Sequence, residues 1–297
     1  MSAPEKLLTI GVTTYSRPEA CKTLVSSIIE GRRGLDALVE LVIVNDNPQS
    51  GHYQLLERFV VQAAVTTPVR YVSHLVNRGL GSSRNCIINN SLGRYIWFVD
   101  DDDSIFPGMI GTVVGRLLRC NPEEEVLFFH NFSNTEVKTN HRISNLFLMG
   151  VTPPVSSQIF GKRLLVKVSG YDEEIMSGVD HGIWVRLLAS DPLVAIVPLA
   201  IIKANTNPYD NRITTDVASR SDEIARSLRK WKPIICKNIS AEFFYHFSKN
   251  YRAYLRKSGQ EQAMKRLPLG FFLIRMFRMG LKLIKVVKRE PGKFTPF

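Results

Sequence analysis

The chain has 297 residues, enough for one large domain with an appendage or for two domains, and its 44% hydrophobic and 22% charged content is ordinary for a globular protein. The net charge of +12 is uneven: from Arg226 to the C-terminus there are 18 Lys or Arg against 3 Asp or Glu, while the preceding 225 residues carry 21 against 24. Cys21, Cys86, Cys120 and Cys236 are far apart with no Cys-x-x-Cys pair, which excludes a disulfide scaffold or a zinc knuckle and predicts reduced, buried thiols.

In chain order, Leu7 to Thr13 reads as a buried strand. Ser16-Arg17-Pro18-Glu19 predicts a helix start with Ser16 as N-cap and Pro18 in the first turn, and Leu24, Ile28 and Ile29 continue at helical spacing. Leu41 to Val44 is a second strand ending in the turn Asn45-Asp46-Asn47-Pro48, and Tyr53 to Gln62 is helical. Val69 to Val72 is a third strand. Asn77-Arg78-Gly79-Leu80-Gly81 is a glycine-containing loop, followed by a helix from Ser83 to Leu92 that Gly93 should close. Tyr95 to Val99 is a fourth strand. Val126 to His130 is apolar, Leu146 to Pro154 irregular, and Phe160 to Leu164 a turn into a helix. Val179 to Leu188 is a helix with Asp180 at its N-terminal end, Leu193 to Val197 a strand, and Lys203 to Asp216 a polar loop. Strands alternating with helices predict an α/β fold with parallel strand pairs. Ligands bind such open sheets beyond the carboxyl ends of the strands, where Thr13, Asp46 and an aspartate run all fall.

That run, Asp100 to Asp103, follows the apolar stretch Tyr95 to Val99 directly. Four adjacent carboxyls repel, and packed closely some must bind protons unless a counter-charge is present. A divalent cation, Mn2+ or Mg2+, removes the conflict by taking two carboxylates together with the oxygens of a phosphorylated ligand. The simpler reading is a polar turn with a helix cap.

The order of these pieces resembles the family 2 glycosyltransferases of the GT-A fold. The resemblance rests on Thr13-Thr14-Tyr15-Ser16-Arg17, Val44-Asn45-Asp46-Asn47, Asn77-Arg78-Gly79 with Arg84-Asn85, Gly93-Arg94-Tyr95-Ile96 running into Asp100-Asp101-Asp102, and Gly178-Val179-Asp180 ahead of Trp184-Val185-Arg186-Leu187. It covers about residues 7 to 215 and implies a Rossmann-like, mostly parallel central sheet flanked by helices over residues 1–225. A basic, mainly helical extension would occupy 226–297.

The resemblance also implies roles. Thr13, Tyr15, Arg17, Asp46, Asn77, Gly79, Arg84, Asp100 and Asp101 fall at nucleotide-sugar-binding positions. Asp46 matches a carboxylate that accepts from the base or ribose, with an Asx-turn as the alternative. Arg84 and Asn85 match a pair supporting the nucleotide site; a helix-surface Arg is the alternative. Asp100 and Asp102 match the outer carboxylates of an Asp-x-Asp metal motif, with Asp102 the better ligand and Asp101 near the ribose. The fourth aspartate leaves the register open by one. Asp180 matches the catalytic base of an inverting transfer, with a helix cap as the alternative. The family often has Glu where Val179 stands and Asp where Asn45 stands. No His lies between His181 and His246, so a late metal or phosphate contact falls to Asn205, Thr206, Arg212 or Thr214, or is unfilled. His181 either touches substrate or is an ordinary helix-surface residue.

The expected donor is a nucleoside-diphosphate sugar, UDP- or dTDP-linked. The expected acceptor is a glycan or lipid-linked glycan, in bacterial surface-polysaccharide assembly. In the tail, Arg275, Arg278, Lys282, Lys285 and Arg289 recur every three or four residues among Phe271, Phe272, Ile274, Phe277, Leu281, Ile284 and Val287. That pattern suits a helix lying on an anionic membrane surface, or one packed on its own domain. No nucleic-acid motif accompanies it. Leu7 to Val12 is too short for a leader and no uncharged apolar stretch approaches ~20 residues, so the protein is expected in the cytoplasm or peripherally on the inner membrane. Two other functions fit parts of the pattern. One is a haloacid-dehalogenase-type phosphatase using Asp100 and Asp102; it normally carries that loop on its first strand. The other is a non-catalytic membrane-surface adaptor.

Overall fold

A strand buried on both faces reads as an unbroken apolar run, and the centre of this protein is built from such strands. The computed structural model describes residues 6–65, 67–120, 125–129, 140–148, 154–176, 178–203 and 221–257. The first half is β1 (Lys6–Thr14), α1 (Pro18–Gly31), β2 (Val39–Asn45), α2 (Tyr53–Ala64), β3 (Val69–Ser73), α3 (Leu80–Asn90) and β4 (Gly93–Asp100). The second half is β5 (Ser104–Ile105), α4 (Met109–Leu117), β6 (Glu125–Phe129), β7 (Asn140–Arg142), α5 (Ile143–Leu148), β8 (Gln158–Gly161), α6 (Lys162–Lys167), α7 (Val179–Leu187), β9 (Leu193–Val197), β10 (Ile202–Lys203), α8 (Ser221–Asn238) and α9 (Ala241–Lys257).

Among the described residues, eight strands form one sheet in the order β3-β2-β1-β4-β8-β6-β9-β7, and β10 pairs with β5 in a small ribbon. The four strands β3, β2, β1 and β4 are parallel; β8 joins β4 antiparallel and leads into the mixed half. The chain runs outward from β1 through β2 to β3, then returns to lay β4 on the other side of β1. That reversal opens a crevice at the carboxyl ends of β1 and β4, the usual ligand position in such sheets. The register sets its floor: Thr13 lies beside Asp100, and Asn45 beside Thr14.

Helices cover both faces. On one side α1, α2 and α4 bury Leu24, Ile28, Leu56, Val60 and Val113 against Ile10, Ile43 and Trp97. On the other, α3, α5, α7 and α8 bury Ile87, Phe147, Trp184 and Trp231 against Val42, Phe98 and Phe160. Ile224, Leu228, Trp231 and Ile235 of α8 belong to this second core, and α9 adds Phe243 and Phe247 against Phe147 at 5.7 and 5.1 Å. Residues 221–257 thus pack against the same core as α7.

Three local expectations change. Arg17, not Ser16, precedes the first turn of α1, and no side chain caps it. Pro18 supplies the fixed φ and has no N–H needing a partner, so the helix starts without a polar cap. Gly93 does not close α3, which ends at Asn90 with Ser91 extended; it opens β4. A Cβ there would lie 2.4 Å from the Thr9 nitrogen, so the β1–β4 contact admits only glycine. Phe160 and Gly161 end β8 before α6 begins. Asn205, Thr206, Arg212, Thr214 and the basic tail beyond 257 lie outside the described residues.

Candidate active site

The aspartate run is a turn, with the Asp103 N–H donating to the Asp100 carbonyl at 3.0 Å, and it sends its side chains to different partners. Asp100 lies next to Arg84, whose Nη2 is 3.2 Å from Asp100 Oδ1. The Asp100 N–H donates to Ser156 Oγ at 3.0 Å. Asp101 turns inward, its side chain only 4% exposed, and accepts from Arg17 Nε at 2.9 Å and Nη2 at 2.7 Å. Arg17 Nη1 reaches Asp102 Oδ2 at 2.8 Å. Burial pushes the Asp100 carboxyl up to about 7; Arg84 opposes this, while Asp180, Asp103 and Asp101 add to it. Its side chain keeps 41% of its surface, so water relieves part of that penalty. Burial also raises the Asp101 carboxyl, against the pull of Arg17 and a hydrogen bond from Thr14.

Arg84 joins the aspartate end to α7. It sits on α3 with its side chain 1% exposed, and besides Asp100 it donates through Nη1 to Asp180 Oδ1. Its guanidinium lies 5.2 Å from the Tyr171 ring centre and 5.9 Å from that of Phe98. A lone buried cation would cost several kcal/mol; two carboxylates and two aromatic faces compensate it here. Burial works against the charge, but Asp180, Tyr171 and Asp100 more than offset it, so the guanidinium pKa is raised. Asp180 is in the first turn of α7, after Gly178 at φ 77°. Its side chain is 40% exposed, accessible to a second molecule.

Asn85 fixes the floor under Arg84. Its Nδ2 donates to the Tyr171 carbonyl and to Glu173 Oε1, both at 2.9 Å, and its Oδ1 accepts from the Tyr171 N–H at 2.8 Å. The Arg84-Asn85 pair thus holds Asp100 and Asp180 through one residue and the 171–173 segment through the other. Asp46 is 5% exposed and already holds structure: Oδ1 contacts His74 Nδ1 at 2.7 Å and accepts from the Arg78 N–H at 2.8 Å, and Oδ2 accepts from the Gly79 N–H at 2.8 Å. Asn77 Oδ1 accepts from the same Gly79 N–H at 3.0 Å. Gly79 has φ 85°, a conformation that favours glycine, and packs against Met176. Thr13 is half-buried beside Asp100. Tyr15 is exposed, its carbonyl accepting from Asn47 Nδ2 at 2.8 Å.

Arg17, Arg84, Asp100, Asp101, Asp102, Asp180 and Thr13 therefore meet at one edge, with Asp46, Asn77 and Gly79 organising the adjoining loop. His181 faces elsewhere: it stacks on Trp231 of α8, ring centres 6.5 Å apart, and burial lowers its pKa against the pull of Asp180. Tyr171, Ser156, His74 and Glu173 were not singled out in the sequence. Each lies 28 to 95 residues from its partner, so no local spacing could have found it. Among the described residues no group of three or more His, Cys, Asp or Glu forms a metal cage. Asp100 and Asp102 instead offer hard oxygen donors at an accessible edge. That donor set suits a cation held by one or two carboxylates plus phosphate oxygens and water.

The model of glycosyl transferase family 2 matches residues 9–166, which contain β2, β3, β4 and most of β1 together with Arg17, Arg84 and the aspartate run. The chain belongs to that family. An uncharacterized glycosyltransferase of Methanocaldococcus jannaschii is 23% identical over 220 residues, 70% of this chain and 73% of the relative. The succinoglycan biosynthesis protein ExoM of Rhizobium meliloti is 28% identical over 96 residues, 32% of this chain and 30% of ExoM. Among solved structures, residues 1–349 of S. aureus TarS in complex with UDP-GlcNAc superpose with a TM-score of 0.65 at 16% identity, covering 88% of this chain and 76% of that one. The mannosyltransferase PcManGT of Pyrobaculum calidifontis, in complex with GDP-Man and Mn2+, gives 0.58 at 13%, covering 94% and 84%. At those identities the likeness establishes the fold: this family 2 glycosyltransferase is a GT-A protein. Membership also displaces the phosphatase alternative, and the aspartate run indeed follows the fourth strand in chain order, not the first.

Proposed function

We propose that the chain is an inverting, metal-assisted transferase moving a sugar from a nucleoside-diphosphate sugar to a hydroxyl of a glycan or lipid-linked glycan. The observation that carries this reading is Arg84, one buried guanidinium bound to both Asp180 and Asp100. It ties the carboxylate suited to be the base to the strand end suited to hold the diphosphate.

An acceptor hydroxyl has a pKa far above neutral, so a carboxylate must take its proton as the new bond forms. Asp180, accessible and oriented by Arg84, is that base. The acceptor O–H bond breaks, its oxygen bonds the anomeric carbon, and the bond to the diphosphate oxygen breaks with its electron pair. With base and leaving group on opposite faces of the sugar, the anomeric centre inverts. A divalent cation, Mn2+ or Mg2+, held by Asp100 and Asp102 would neutralise charge on the leaving diphosphate. The inward burial of Asp101 favours that pair over Asp101 and Asp103. Thr13, Tyr15 and the loop held by Asp46, Asn77 and Gly79 form the nucleotide side.

The nucleotide-sugar complexes of the two structural neighbours support this donor class, and we favour a UDP- or dTDP-sugar. The name of ExoM and the basic tail support surface-polysaccharide assembly at the cytoplasmic face of a membrane. No helix among the described residues is long and apolar enough to cross a membrane. The test is a screen of nucleotide sugars with Mn2+, following nucleoside diphosphate release and the anomeric signal of the product by NMR. Turnover with inversion is expected. A retained anomer, or no nucleotide sugar bound or consumed, would overturn the reading.

A further inference from the structure

Arg17 has a second use that its place after β1 does not announce. It is the last residue before α1, and its guanidinium crosses the crevice to the end of β4. All three guanidinium nitrogens are engaged: Nε at 2.9 Å and Nη2 at 2.7 Å on Asp101 Oδ1, and Nη1 at 2.8 Å on Asp102 Oδ2. The two anchors differ. The Asp101 side chain is 4% exposed and takes two of the three nitrogens, whereas that of Asp102 is 13% exposed at the edge and takes one. Arg17 is thus fixed at its inner end and exchangeable at its outer end.

We propose that Arg17 is a resident counter-cation of the aspartate run, holding Asp102 until donor and divalent cation arrive together. This rests on the metal-assisted reading above. A guanidinium and a doubly charged ion repel strongly on one carboxylate, so a cation entering at Asp102 must loosen the Arg17 Nη1 bond. Cation alone therefore meets a partly neutralised site and binds weakly. A nucleoside diphosphate adds the missing negative charge, ligates the cation, and gives the released Nη1 a new acceptor while Nε and Nη2 stay on Asp101. Cation and nucleotide then bind with positive coupling, reciprocal between the two. Arg17 is a positioning residue acting through Asp102.

The test measures Mn2+ binding by electron paramagnetic resonance and calorimetry, with and without UDP, in the wild-type chain, Arg17→Met and Arg17→Lys. UDP should tighten Mn2+ about 10-fold in the wild type, inside the ~5–150-fold span of ordinary couplings. Arg17→Met, similar in length but uncharged, should bind Mn2+ alone about 10-fold tighter, with the UDP coupling reduced by the same factor. Arg17→Lys keeps the charge but cannot span both carboxylates, and should fall between; it serves if the Met variant does not fold. A purely structural Arg17 would lower the melting temperature without tightening Mn2+. Unchanged Mn2+ affinity in both variants, with Mn2+ binding to the wild type intact, overturns the role of Arg17 alone. Absence of Mn2+ binding in every protein, with UDP still bound, overturns the metal reading and this proposal with it.

Discussion

Two arginines order the charged side chains at the carboxyl edge: Arg17 pairs with Asp101 and Asp102, and Arg84 with Asp100 and Asp180. Asp180 pairs with Arg84 and keeps an accessible face. Asp180→Asn preserves shape and removes the carboxylate proposed as the base. Donor binding by calorimetry should be unchanged, while kcat falls ~10²–10⁴-fold, the usual worth of a positioned base; retained turnover would remove Asp180 from that role. Asp102 is held by Arg17 on the outer side. Asp102→Asn should weaken donor binding in Mn2+ and leave binding in EDTA unaltered. An unchanged Mn2+ response would move the ligand to a neighbouring aspartate.

At the scale of elements, α7 presents Asp180 because α8 packs behind it. Trp231 is 2% exposed, stacks with His181 and lies 3.7 Å from where a Gly182 side chain would begin. Trp231→Ala leaves a large cavity under α7 and should cost about 3–5 kcal/mol in urea unfolding, with activity lost before global unfolding. The β1–β4 pair is equally exacting. Gly93→Ala forces a Cβ against the Thr9 backbone, so it should destabilise by at least about 1–3 kcal/mol, since backbone atoms cannot move aside like a side chain. A Gly93→Ala protein that melts like the wild type would mean that the two strands can separate there at no cost.

On the scale of the whole molecule, α8 and α9 pack into the core of the sheet domain. Ile224, Leu228, Trp231 and Ile235 share one apolar cluster with Val179, Ile183 and Trp184 of α7. A chain ending at residue 220 should therefore lose cooperative thermal unfolding. A chain ending after Lys257 should keep it and lose partitioning onto anionic vesicles. Cooperative melting of the shorter chain at the wild-type temperature, or undiminished vesicle binding by the longer one, would contradict those expectations.

What the sequence determined by itself is what local periodicity and order along the chain encode. The strands β1, β2, β3 and β4, their parallel arrangement, and the gathering of Thr13, Asp46 and Asp100–Asp103 at one edge follow from unbroken apolar runs closed by polar turns. Family membership follows from the same order of motifs. Which carboxylate meets which cation did not. Arg17 and Asp101 are 84 residues apart, and Arg84 and Asp180 are 96 apart. Such pairings exist only once β4 has been inserted beside β1 and the first turn of α7 brought to Arg84 of α3. The roles of Gly93 and Asp46 were hidden for the same reason: one serves a close contact between strands, the other a loop closed by backbone N–H groups. Short-range chemistry writes elements into a sequence, whereas the electrostatics of a site depend on distances between segments that only the packed core brings together.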